Sequence, residues 1–187
     1  MTQGCKIDKQ DGAYFLTFTT VEWVDVFKEN KYKLLLCESL NYCVENKGLG
    51  IFAYVLMSTY MHRIAASLNN NLSGIVRDFK KFTSGSIILM LKRDRNNKSM
   101  EMLTIFKEAA EKHTRNKKHQ LWQNNNHPEE VYSSKFTLSK INYIHNNPVE
   151  AGLFNRPEDY LFSSAVDYAN GKSPVIVSQL NLHNLYY

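Results

Sequence analysis

The sequence predicts an α+β fold, an antiparallel sheet covered by helices on one face. Three observations lead there. Residues 13–21, AYFLTFTTV, are dense in aromatic and β-branched side chains, the composition of a strand. Two more strand-like runs, residues 51–57 and 61–67, are joined by the short polar bend Ser58-Thr59 and so pair antiparallel. Apolar residues at helical spacing fill the segments between and after these strands. The resulting order is β-α-β-β-α-α-(β)-α, which suits a mixed antiparallel architecture.

Taken along the chain, Leu34, Leu35, Leu36, Leu40, Cys43 and Val44 mark a helix over residues 31–46, which Gly48 and Gly50 end. After the loop Asn69-Asn70-Asn71, Ser73 is the expected cap of a helix carrying Ile75, Val76, Phe79, Phe82 and Ile87. Met102, Leu103, Phe106 and Ala110 share one face of a helix over residues 99–113. Residues 116–126 are polar and loop-like, anchored by Trp122, and Val131-Tyr132 is a candidate short strand. Leu138, Ile141 and Ile144 face inward from a last helix over residues 137–147, which Pro148 is expected to end. Ser163-Ser164 caps a short C-terminal turn. No repeat or linker divides the chain, so one domain is expected over residues 1–187, with a core at 13–168 and a tail at 169–187.

Composition narrows the class. With 187 residues, 43% of them apolar, the chain can bury a core without disulfide or metal staples. The longest uncharged stretch, residues 48–61, is too short to cross a bilayer, and the first twelve residues lack the apolar segment of a secretory signal. Three cysteines, Cys5, Cys37 and Cys43, cannot all pair and fit no zinc template, so reduced thiols and a cytoplasmic location are expected. The net charge is +5, but residues 77–118 hold 12 basic against 5 acidic side chains, leaving the remainder slightly acidic. That asymmetry suits either one surface turned to a polyanion or a solvated helical face.

Two segments carry candidate chemistry. Tyr60 and His62 flank Met61 on or entering a strand, so both point to one face. A histidine there can ligate a divalent metal, although a lone strand histidine is more often structural. Tyr143 and Asn147 are four residues apart on the last helix and share a face. A tyrosine hydroxyl can act as a nucleophile and an asparagine carbonyl can ligate a hard metal; on spacing alone, packing and capping are the commoner roles. His113 and His119 fall in a Lys-rich loop and read as solvated. No Ser/His/Asp order, phosphate loop or paired-carboxylate motif is present.

Six ordered stretches carry a resemblance: YFLTFTTVEWVDVF (14–27), AYVLMSTYMHRI (53–64), RDFKKFTS (77–84), LWQ (121–123), YIHNNPVEAGL (143–153) and PEDYLFSSAVDY (157–168). With them the chain resembles the single-tyrosine HUH transposases of the insertion-sequence-200 type, in the branch associated with REP palindromes. The resemblance implies a ferredoxin-like antiparallel sheet packed by helices, with a C-terminal helix carrying the tyrosine. It implies Tyr143 as nucleophile, Asn147 and His62 as metal ligands, Mg²⁺ or Mn²⁺ as cofactor, and single-stranded or hairpin DNA as partner. In that chemistry the tyrosine hydroxyl attacks a phosphodiester, forms a 5′-phosphotyrosine and releases a 3′-OH. A homodimer is compatible with it, and no membrane role is expected.

One departure stands out. The family pattern reads His-hydrophobic-His, and here Tyr60 stands where the first histidine is expected. A phenol with an ordinary pKa of ~10 is a poor Mg²⁺ ligand at neutral pH, so weakened metal binding and impaired cleavage follow. The alternatives are a residually active strand transferase, an inactive domesticated DNA-binding module, and an unrelated α+β interaction protein. For the DNA surface, Arg77, Lys80, Lys81 and Ser84 are expected to share a helical face with Phe79 and Phe82 packed inside, extended by Lys92, Arg93, Lys117 and Lys118.

Overall fold

A computed structural model describes residues 6–112 and 118–181. Four strands form one sheet: β1 (Tyr14–Thr19), β2 (Leu49–Leu56), β3 (Tyr60–Ser67) and the two-residue β4 (Glu129–Glu130). Their spatial order is β2-β3-β1-β4 and every neighbouring pair is antiparallel. Five helices accompany them: α1 (Asn30–Lys47), α2 (Leu72–Asp94), α3 (Asn97–Glu111), α4 (Ser134–Glu150) and the short α5 (Ala165–Tyr168). This is the ferredoxin-like α+β arrangement, with α4 following the last strand.

Local chemistry accounts for the boundaries. Gly48 takes the left-handed conformation (φ 68°) that closes α1, which a side chain would resist. The Ser133 hydroxyl accepts from the Phe136 amide and opens α4. Helix α2 begins one residue before Ser73, so Ser73 is not its cap; Gln10 reaches across instead, accepting from the Ser73 amide and donating to its hydroxyl. Pro148 does not end α4 but sits in its last turn, where only the Ile144 carbonyl loses a donor before the helix closes at Glu150. The fourth strand falls at Glu129–Glu130 rather than at Val131-Tyr132, because Tyr14 and Phe15 pair with those two residues.

The helices lie on both faces of the sheet, not on one. Residues 61–65 of β3 are all nearly inaccessible, so each face of this inner strand needs a cover. Along β1 and β3 the side chains alternate. Phe15, Thr17, Tyr60 and His62 turn towards α4, whereas Phe18 and Arg63 turn towards Phe79 of α2. Helix α1 packs beside α2, with Tyr32, Leu36 and Leu40 fully buried. Trp122 anchors the preceding loop as expected, stacked on Phe27 and donating to Thr83 Oγ1. Phe82, expected inside, is 60% exposed, since the inward stripe of α2 passes through Phe79 and Thr83 instead.

The C-terminal residues are tied to the core. Phe162 and Ser164 pair with Leu56 and Tyr54 along the free edge of β2. Asn41 holds the backbone of Pro174 and Ile176, and the Ser178 amide donates to the Ile51 carbonyl. Among the described residues no helix is long and apolar enough to cross a membrane. Cys37 and Cys43 are buried free thiols, and Cys5 lies outside the described residues.

Arg63 is the anomaly of the core. Its guanidinium carbon lies 4.6 Å from the Phe18 ring centre and 5.2 Å from that of Phe79, yet none of its three nitrogens has a hydrogen-bond partner. Burial pushes its pKa down to about 10. Stacking on two rings recovers part of the desolvation cost but leaves the donors unmet. Arg63→Met is therefore expected to raise unfolding stability in urea by about 2 kcal/mol; unchanged or reduced stability would contradict this account of the core.

Candidate active site and nucleic-acid surface

Helix α4 crosses the sheet face that β3 presents through Tyr60 and His62. Ile141 and Ile144 anchor the helix in the core, which leaves Lys140, Tyr143 and Asn147 on the stripe nearest those strand residues. The rings of Tyr143 and His62 are 5.3 Å apart, and the Tyr60 ring is 4.8 Å from the imidazole. Phe15 stacks under His62 at 5.3 Å and meets the Tyr143 ring edge-on at 6.0 Å. Sheet and helix thus converge on one aromatic-walled pocket. Asn147 and His62 are buried within it, while Tyr143 remains 44% exposed and open to an incoming ligand.

Polar contacts fix each wall. His62 Nδ1 lies 2.8 Å from the Thr17 hydroxyl. Burial, followed by the nearby charge of Lys140, holds the imidazole pKa down to about 4, so it is neutral at pH 7. The Tyr60 hydroxyl donates to Asn147 Oδ1 at 2.5 Å. Burial raises the Tyr60 pKa, helped by Tyr143 and Glu150, so this group stays a protonated phenol. His145 sits on another flank of α4, with Nε2 2.8 Å from the Ser164 hydroxyl and its ring against Tyr168, and burial holds its pKa down to about 4. It joins helix to C-terminal segment.

The residues at this site do not fit the divalent ion that the resemblance implies. Among the described residues no three His, Cys, Asp or Glu side chains cluster to hold a metal. The Asn147 carbonyl already accepts from Tyr60, and one imidazole nitrogen is committed to Thr17. What remains is a small set of neutral donors, insufficient for a hard cation that needs oxygen ligands and compensating charge.

The residues expected to bind nucleic acid lie elsewhere. Those of α2 lie on the sheet face opposite Tyr143, and Lys118 falls in the loop after α3. Arg77 is exposed and paired with Asp78 at 3.1 Å. The Lys80 ammonium turns inward to the Gln123 carbonyl at 2.7 Å and Asn126 Oδ1 at 2.6 Å, and burial lowers its pKa to about 8. It is therefore committed to the protein and not free for a phosphate. Lys81, Lys92, Arg93 and Lys118 are exposed, and Ser84 and His119 are half-buried. His113 and Lys117 lie outside the described residues.

Three site residues escaped the sequence reading. Lys140, three positions before Tyr143, was findable from helical spacing alone. Phe15 and Thr17 alternate on the first strand, but only the register of β1 against β3 reveals their place under His62.

No family model matches the sequence, and no curated protein matches it. Among solved structures, one described as the REP-associated tyrosine transposase bound to a REP hairpin is similar, with a TM-score of 0.62 and 18% identity. The similarity covers 95% of this chain and 92% of that one. At such identity the shared property is the fold.

Two outcomes follow from the site. Tyr60→His removes the donor on Asn147 and adds an imidazole beside His62, so Mn²⁺ binding followed by electron paramagnetic resonance is expected to appear in the variant and be absent in the native protein. Equal binding by both would refute the fit argument. The second concerns acid. With a folded pKa near 4 against 6.5 unfolded, His62 takes up its proton more readily in the unfolded chain. Its contribution of about 3 kcal/mol is present above pH 6.5 and is lost as the pH falls towards 4. In His62→Gln, urea stability should decline less steeply over that interval, and an unaltered decline would contradict the buried neutral imidazole.

Proposed function

We propose that this chain is a transposase-type DNA-binding protein that holds single-stranded or hairpin DNA at the Tyr143 face, with metal-dependent strand cleavage impaired. The observation that carries the reading is the convergence of an exposed Tyr143 with His62 and Asn147 in one pocket. A fold shared with a hairpin-bound transposase supports the choice of partner. The Tyr60-to-Asn147 hydrogen bond supports the loss of cleavage, because it occupies the Asn147 side-chain oxygen that a metal would require.

The residues of the chain supply binding without a metal. Tyr143 offers a hydroxyl and an aromatic face to a nucleotide, and neutral His62, oriented by Thr17, backs that ring. Aromatic faces stack on bases of any sequence, so this contact favours unpaired nucleotides over duplex.

A second reading, residual strand transfer through Tyr143, is favoured by one observation: its phenol is neither buried nor displaced from His62. One experiment separates the two. A hairpin oligonucleotide with a single-stranded flank is incubated with the protein in EDTA and in Mn²⁺, then run on native and denaturing gels. A native shift in both conditions with no covalent adduct is the expected result. An adduct that disappears in Tyr143→Phe would establish the second reading, and absence of any shift would remove both.

A further inference from the structure

Neutral donors at the pocket leave open what meets the negative charge of a DNA backbone at Tyr143. Lys140 stands one helical turn before Tyr143 on the same stripe of α4. Its ammonium lies 4.3 Å from the centre of the Phe15 ring, the ring that stacks under His62 and touches Tyr143 edge-on. Cation, imidazole and phenol therefore share one aromatic floor. The Lys140 side chain is only 19% exposed, and it is held by Glu129 Oε2 at 2.7 Å and by the face of Phe136. Arg63 of β3 and Lys80 of α2 both lie against Phe18, on the far side of the sheet.

The partner of Lys140 is replaceable. Glu129 is 47% exposed on a two-residue edge strand, so solvent screens its attraction for the ammonium. A backbone phosphate offers the ammonium the same charge, spread over two non-bridging oxygens as in a carboxylate. Phe15 and Phe136 keep the lysine stem in place while its partner changes.

We propose that Lys140 is the phosphate-contacting cation of the Tyr143 site, exchanging Glu129 for a backbone phosphate of single-stranded DNA. The inference rests on the DNA-binding reading and adds to it the residue that meets the charge.

Affinity for the flanked hairpin oligonucleotide is measured in EDTA across a salt series for four proteins: native, Lys140→Gln, Lys140→Arg and Glu129→Gln. Lys140→Gln is expected to bind about tenfold more weakly, with the slope of log affinity against log salt reduced by about 0.7. Lys140→Arg should keep the native slope, and Glu129→Gln should bind about threefold more tightly because the ammonium is released. If Lys140→Gln matches the native protein, or if Glu129→Gln weakens binding as much as Lys140→Gln does, the ion pair is purely structural and the proposal is overturned. Should Lys140→Gln unfold, Glu129→Gln carries the test alone, and its failure to tighten binding overturns the proposal. A native protein that binds no hairpin defeats the functional reading itself, a result distinct from native binding that is insensitive to residue 140.

Discussion

Strand β3 has to satisfy two different environments at once, and the organisation of the molecule follows from how it does so. It lies between β2 and β1 with helices over both faces, so its alternate side chains enter separate compartments. Tyr60 and His62 enter the polar-aromatic pocket beneath α4; Met61 and Arg63 enter the space closed by α1 and α2. A one-residue slip in pairing would exchange these sets and bring Arg63 against Tyr143. The paired rows Thr17–His62–Val55 and Leu16–Arg63–Tyr54 hold the register from both sides.

The pocket that results is poor in charge. Its walls are aromatic, its imidazole is neutral, and its strand and helix hydroxyl and amide groups are bonded to one another. The Tyr60 phenol is long enough to reach Asn147, and the two groups serve each other as donor and acceptor. Positive charge is displaced to the periphery, at Lys140, and to the opposite side of the sheet, at Arg63 and Lys80.

Much of this is legible in the sequence. The hairpin of β2 and β3, the long helices, the shared face of Tyr60 and His62 and that of Tyr143 and Asn147 all follow from periods of two and of 3.6 residues, which depend only on local backbone geometry. What escaped depends on packing. Phe82 has an apolar side chain at a position that helical spacing places inside, but the stripe actually buried runs through Thr83, whose hydroxyl is satisfied by the Phe79 carbonyl and by Trp122. Lys80 looks solvated in a string of charges, yet a loop more than forty residues away supplies two oxygens for its ammonium. Placement of helices on both faces was hidden because β3 lacks a polar side, a pattern that by itself does not say which helix covers which face. Pro148 has the sequence signature of a terminator, but the last turn of α4 accommodates it with one lost bond.

The central claim is that α4 lies across the sheet so that Asn147 receives the Tyr60 hydroxyl. A double-mutant cycle in urea over Tyr60→Phe and Asn147→Ala measures that contact directly. A coupling energy of about 1 kcal/mol or more is expected, as for a half-buried neutral hydrogen bond. Strictly additive effects of the two substitutions would show that the groups do not meet and that the pocket is not closed in this way.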